Sequence, residues 1–287
     1  MPSPSIAHYG TTIIEVLPPA EAVQREIPHT GDLAGMLRLL TLFGFEPLIE
    51  NMYPGVGRQY IRRRGKITDP DYIEFDAFTS YTAIERPATD GPRVGDTIFR
   101  ITHHSPVEVF RSARREGLVT PVSTWADIDA FELGDRDWIL VRAPNGQCLE
   151  IGPTQPDRAG NHTIYVWTDP DALEATALDF TAQFHMQRVG SFDFHGLGKG
   201  LSLRRARPGI TIGLITPLPG HRIEPRWSDD IFREAGYSHY RMGSPDKGAT
   251  LRVSQQAFPD GGDVSFVYFR DSYLELVQVH DDDPAMG

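Results

Sequence analysis

The feature that most restricts how this chain can fold is a repeat. One helix signal opens near Gly31 and another at Asp169, 138 residues on, while Ser105-Pro106 and Ser244-Pro245, each a cap residue followed by proline at the first helical position, stand 139 apart. Two independent landmarks with nearly the same shift mean that a block of this length occurs twice. Each block holds two helix signals, so the 287 residues divide into four units of about 70 residues each.

The units share one order of elements. In the first, Thr11 to Leu17 is β-branched and alternating, and Asp32 to Phe43 sets Leu33, Met36, Leu37, Leu40 and Phe43 on one helical face with Gly44 as its stop. Strands follow at Phe45 to Asn51, Arg58 to Arg63 and Asp71 to Phe78. The second unit has a strand at Thr97 to Thr102, a helix from Ser105 to Gly117, and strands at 118–123, 129–133, 138–142 and, after the turn Pro144-Asn145-Gly146, 148–151. The third has a strand at His162 to Trp167, a helix with Leu173, Ala177, Phe180 and Phe184 on one face, and strands at 187–194, 201–206 and 211–215. The fourth opens at Ser238 to Met242, continues through a weaker helix towards Gln256, and closes on a hairpin. The polar, turn-rich Thr154 to Gly160 is the best linker, which predicts domains at 1–155 and 160–287.

That last hairpin, Ser265 to Val279, carries the most informative charge. In its second strand Tyr273, Glu275, Val277 and Val279 share a face on which Glu275 is the one charged group. A carboxylate among such neighbours calls for a cation, because burying it unpaired costs several kcal/mol or forces protonation.

Composition narrows the rest. A formal charge of -11 disfavours nucleic acid and anionic membranes as partners. No apolar run reaches the ~18 residues of a membrane span, and MPSPSIAHYG lacks the basic and apolar regions of a signal peptide. Cys148 is the single cysteine, which excludes an internal disulfide and a thiolate zinc site. A cytoplasmic location is the expectation.

Three segments carry a family resemblance: His162-Thr163-Ile164-Tyr165-Val166 at a unit start, Arg142 to Glu150 (RAPNGQCLE) at a unit end, and Tyr268 through Glu275 at another. With the four-unit pattern they resemble the vicinal oxygen chelate superfamily, also called the glyoxalase/bleomycin resistance/dioxygenase superfamily. The resemblance implies an α+β fold of four βαβββ units in two tandem halves, each an open cup of mixed and antiparallel strands with helices outside. A four-unit chain looks most like the type I extradiol ring-cleaving dioxygenases, which hold Fe(II) with two histidines and a glutamate of the C-terminal half. Carried over by position, the ligands fall on His162, His239 and Glu275, a facial triad that leaves room for a substrate oxygen pair and dioxygen. Mn(II), Ni(II) and Zn(II) are the alternative ions. At the matching unit starts the N-terminal half has Thr11 or Thr12 and Asp96, keeping only Glu150, which reads as a metal-free structural half.

Tyr268 matches the tyrosine that hydrogen-bonds substrate in the extradiol enzymes. Where those enzymes carry a further histidine this chain has Phe258 to Gly261, so proton delivery falls to His195 in FDFHGLGKG. The expected partners are an aromatic small molecule and dioxygen, with a homo-oligomer allowed. The competing readings are a divalent-metal isomerase or lyase of the same fold, and a metal-free module that sequesters an aromatic compound among Trp167, Phe192, Phe194, Tyr240 and Phe266. Gly196 to Gly200 reads as a flexible hairpin rather than a phosphate loop, Arg62-Arg63-Arg64 as a solvated strand end, and His103-His104 as an unsuitable chelating pair because neighbours on a strand point to opposite faces.

Overall fold

The computed structural model describes residues 12–16, 33–53, 57–66, 69–78, 92–122, 138–144, 146, 148–154, 163–205, 210–225, 236–244, 254–257, 263–269 and 272–278, with the strands of the first and fourth units given largely by backbone and register. The first unit is β1 (Thr12–Val16), α1 (Leu33–Leu42), β2 (Glu46–Tyr53), β3 (Gly57–Lys66) and β4 (Asp69–Phe78). The second is β5 (Thr97–His103), α2 (Pro106–Arg115), β6 (Thr120–Pro121), β7 (Ile139–Arg142) and β8 (Cys148–Pro153). The third is β9 (Thr163–Trp167), α3 (Leu173–Phe184), β10 (Gln187–Phe194), β11 (Gly198–Arg205) and β12 (Ile210–Pro217). The fourth shows β13 (Gly236–Ser244), β14 (Ser254–Ala257), β15 (Asp263–Phe269) and β16 (Ser272–Gln278). The helix expected from Ser244 lies largely outside the described residues, as does the strand expected at 129–133, and Ser254 to Ala257, where that helix was to end, is a strand.

The fold is the expected α+β arrangement of open mixed sheets. In every unit the last strand runs parallel beside the first: β4 beside β1, β8 beside β5, β12 beside β9 and β16 beside β13. The other pairings within units are antiparallel.

The two sheets do not follow the division at residues 155–160. An inner eight-stranded sheet, in the order β10-β11-β12-β9-β5-β8-β7-β6, joins the second and third units through the antiparallel pair β5 and β9. An outer one, β14-β15-β16-β13-β1-β4-β3-β2, joins the first and fourth through β1 and β13. The tandem grouping of consecutive units is therefore replaced by nesting. The repeat could not distinguish the two, because a shift of 138 residues is the same whichever units share a sheet.

Alternation on the inner sheet separates two faces. On the helix side Phe99, Ile101, Leu149 and Ile151 pack with Val109, Phe110 and Ala113 of α2 and with Met36, Leu39, Leu40 and Phe43 of α1. Ile164, Val166, Leu201, Leu203, Ile212 and Leu214 pack under Ala177, Phe180 and Phe184 of α3. Ser105 begins α2 but makes no side-chain cap; its backbone N–H donates instead to His103 Nδ1 at 3.0 Å. On the concave side Ile98, Leu140, Tyr165, Trp167, Phe194 and Ile215 form a third cluster. Arg64 is no solvated strand end: it donates to the Thr102 carbonyl and lies over the Phe45 ring, 4.8 Å from its centre. It thereby ties the first unit to the second.

Candidate functional site

The concave face of the inner sheet carries a closed polar network around Glu150. Glu150 stands on β8 opposite Arg100 of β5 and Leu140 of β7, so alternation turns it into the cup while Leu149 and Ile151 go to the helix side. Its Oε2 accepts from Arg100 Nε at 2.6 Å and from the Tyr165 hydroxyl at 3.0 Å. Its Oε1 meets His195 Nε2 at 2.8 Å; an ionised carboxylate only accepts, so that ring nitrogen carries the proton. Arg100 Nη2 also donates to the Tyr165 hydroxyl, and its guanidinium is stacked 3.6 Å above the centre of the Trp138 ring.

Burial alone would push the Glu150 carboxyl up, but the His195 hydrogen bond and the Arg100 charge outweigh it and hold the group below the ordinary carboxylate range. The Tyr165 phenol is raised well above its usual value by burial and then by the neighbouring carboxylate charge. At working pH the site is thus a carboxylate, a guanidinium and a neutral phenol. Bare backbone makes room for the rings: a Cβ on Gly152 would lie 1.9 Å from Trp138, and one on Gly213 2.4 Å from Tyr165.

This set does not suit a metal ion. Glu150 already receives three donors, and the cation among them is Arg100. His195, expected as an acid or base in a loop, is nearly enclosed, with 8% of its side chain exposed, and its ring is engaged by Glu150.

The expected metal ligands are located by their strands alone. His162 lies outside the described residues; β9, which begins at the next position, belongs to the inner sheet. His239 and Glu275 lie in the outer sheet on the hydrogen-bonded neighbours β13 and β16, where Glu275 is opposite Arg241, two positions along from His239. Tyr268 is on β15, opposite Tyr273 of β16. Imidazole and carboxylate on adjacent strands are a donor set that a divalent ion accepts. Among the described residues no group of three His, Cys, Asp or Glu side chains is placed to hold an ion. The rings of His103 and His104 stack 4.0 Å apart rather than converging on a point, and burial followed by the charge of His104 lowers the basicity of His103. Trp167, Phe192 and Phe194 gather with Tyr165 in the inner cup, whereas Tyr240 and Phe266 belong to outer-sheet strands.

Sequence reasoning missed Arg100, Tyr165 and Trp138. The available signal was Arg100 itself, a charge at an alternate position of an otherwise apolar strand, Thr97 to Thr102. The same arrangement recurs in the outer sheet, where Arg241 stands opposite Glu275 as Arg100 stands opposite Glu150.

No helix among the described residues is long and apolar enough to cross a membrane. No protein-family model matches the chain, and no curated protein does. Among solved structures it is similar to glyoxalase I from Zea mays, at 13% identity and a TM-score of 0.60, covering 95% of this chain and 92% of that one. A point mutant of glyoxalase I from Zea mays gives a TM-score of 0.60 at 11% identity, covering 95% of this chain and 94% of that one. With sixteen strands among the described residues, set in two mixed eight-stranded sheets, and each unit closing parallel to its own first strand, the chain has the fold of glyoxalase I.

Proposed function

We propose that the chain is a divalent-metal enzyme acting on a small molecule that presents two adjacent oxygens, with the ion held by the outer sheet. His239 and Glu275 would hold it; His162, next to a strand of the inner sheet, is not part of this reading. The observation that carries the reading is the contrast between the sheets: the inner carboxylate is engaged by Arg100, Tyr165 and His195, which leaves the outer one as the candidate for an ion. The likeness in fold to glyoxalase I, which spans both sheets, supports it. A bound ion would polarise a substrate oxygen and ease removal of a proton from the neighbouring carbon. Glu275 would contribute charge to the ion's grip, His239 a neutral donor, and Tyr268, one strand away, a hydroxyl to orient substrate.

Two chemistries fit that description, a non-oxidative isomerase or lyase and an Fe(II) dioxygenase acting on a catechol-type compound. The first is favoured because His195, the acid that the dioxygenase reading needs, is tied to a carboxylate of the inner sheet. Tyr268 supports the second. The experiment is metal loading with Fe(II), Mn(II), Ni(II) or Zn(II), followed by assays on catechols and on α-hydroxycarbonyl compounds with and without oxygen. Turnover undiminished under anaerobiosis supports the isomerase or lyase; strict oxygen dependence supports the dioxygenase.

A metal-free binding protein is the further reading, and the register of Arg241 opposite Glu275 favours it, since an arginine in the same register satisfies Glu150. Failure of all four ions to bind stoichiometrically would select it and end the metal reading.

A further inference from the structure

One imidazole stands where the first unit docks on the second. His103 ends β5, and its Nδ1 accepts from the Ser105 backbone N–H at 3.0 Å, which fixes the entry of the chain into α2 where Ser105 makes no side-chain cap. A ring nitrogen accepts only while it is unprotonated, so this bond requires a neutral imidazole with its hydrogen on Nε2.

Three other elements meet at the same place. Phe43, just after α1, sets its ring edge-on to that of His103, with centres 6.3 Å apart. Arg64 of β3 donates to the carbonyl of Thr102, the residue before His103, and to that of Phe43 at 3.5 Å. The Thr154 N–H, just after β8, donates to the His103 carbonyl at 3.0 Å. The seam is one of the joints between the sheets, since β3 belongs to the outer sheet and β5 and β8 to the inner one. The charged and titratable groups facing the ring are His104, its ring centre 4.0 Å away, Arg64 of β3 and Glu108 of α2. From the side of α1 it meets the uncharged Phe43 ring.

We propose that His103 is a pH-sensitive pin of this seam: neutral, it holds the first turn of α2 against the end of α1, and protonated, it releases that turn and loosens the docking of the first unit on the second. Protonation acts in two ways. The nitrogen that accepted becomes a donor facing another donor, the Ser105 N–H. A cation then stands at a helix N-terminus, where the peptide dipoles oppose it, with the Arg64 guanidinium nearby. Burial and then the charge of His104 hold His103 below the unfolded-state value of about 6.5, so its contribution is fully present above that value and is lost as pH falls through the folded one. Glu150 is held below the ordinary carboxylate range, so the inner network keeps its charge over the same interval.

Amide exchange at Ser105 and residues 107–109, corrected for intrinsic rate, reads the pin. In the wild type it should quicken at least about threefold from about pH 7.5 to about pH 5, while β9 and β12 keep their protection. His103→Asn sets an accepting oxygen two residues before the same N–H but takes up no proton, so exchange should stay slow and flat with pH. His103→Phe keeps a ring without an acceptor, and its first turn should exchange at neutral pH as fast as the wild type does in acid. His104→Asn should keep the step and move it to higher pH, because a like charge has gone. A step that survives in His103→Asn overturns the proposal. So does a wild type without a step, His103→Phe as slow as the wild type at neutral pH, or equal loosening of β9 and β12. Should His103→Asn fail to fold, nitrogen NMR of the wild type decides: the His103 Nδ1 and the Ser105 amide must titrate together below about 6.5, and separate midpoints overturn the proposal.

Discussion

Glu150→Gln tests the energetics of the inner cup. The substitution keeps the shape of the side chain and an accepting oxygen but removes the charge from a group that is 4% exposed, leaving Arg100, 15% exposed, without its counter-ion. Breaking a buried ion pair by removing one partner costs about 3–5 kcal/mol, and the retained hydrogen bonds and partial exposure of Arg100 reduce this to about 2–4 kcal/mol. The sequence alone, treating Glu150 as a strand carboxylate without special partners, predicts no more than about 1–2 kcal/mol. Urea unfolding followed by fluorescence separates the two, provided the slope is unchanged, so that the midpoint shift reports stability. The pH dependence gives a second handle. Glu150 is held below the ordinary carboxylate range, so its contribution is fully present above the unfolded-state value of about 4 and is lost as pH falls through the folded-state value. The gap between wild type and variant should be wide at neutral pH and narrow in acid. Glu116→Gln, which breaks the exposed pair with Arg38, is the control and should leave the midpoint where it was. A Glu150→Gln midpoint indistinguishable from that control, or a gap that does not narrow in acid, would refute the account of the network.

Gly152→Ala places a methyl group 1.9 Å from the Trp138 ring and must displace it from Arg100; a loss of about 1–3 kcal/mol is expected, and an unchanged melting temperature would contradict it. Phe110→Ala empties a fully buried position between α2 and the inner sheet and should cost about 3–5 kcal/mol, measured by urea unfolding. Glu275→Gln should lose a divalent ion that Glu150→Gln retains, assessed by elemental analysis after dialysis, and equal retention in both would remove the outer sheet from the metal reading.

Elements were legible in the sequence wherever local pattern decides them. The β10 strand falls where alternation put it, and α1 begins and ends within a residue of its apolar face, because a period of 2 or 3.6 is written in neighbouring residues. The grouping of units into sheets was not legible, since it depends on whether β9 pairs with β5 or with β13, and neither strand carries a local mark of its partner. The site divides in the same way. Glu150 could be singled out as a lone carboxylate near a turn, but its partners Arg100, Tyr165 and His195 are 50, 15 and 45 residues away in the chain and meet it only once the sheet has rolled. His195 was noticed for its glycines; that its ring meets Glu150 of β8 is a long-range fact.

The nesting of the sheets sets an order of assembly. All strands of the inner sheet lie between residues 97 and 217, so the inner cup can close while the fourth unit is still being synthesised. The first unit cannot finish so early: β1 needs β13 on its free side, and until then its edge has unpaired backbone groups. A stalled or truncated chain ending after β12 would therefore hold a complete inner cup beside an open four-stranded edge, ready to pair with the β1 edge of another copy. In the full-length chain β13 covers that edge.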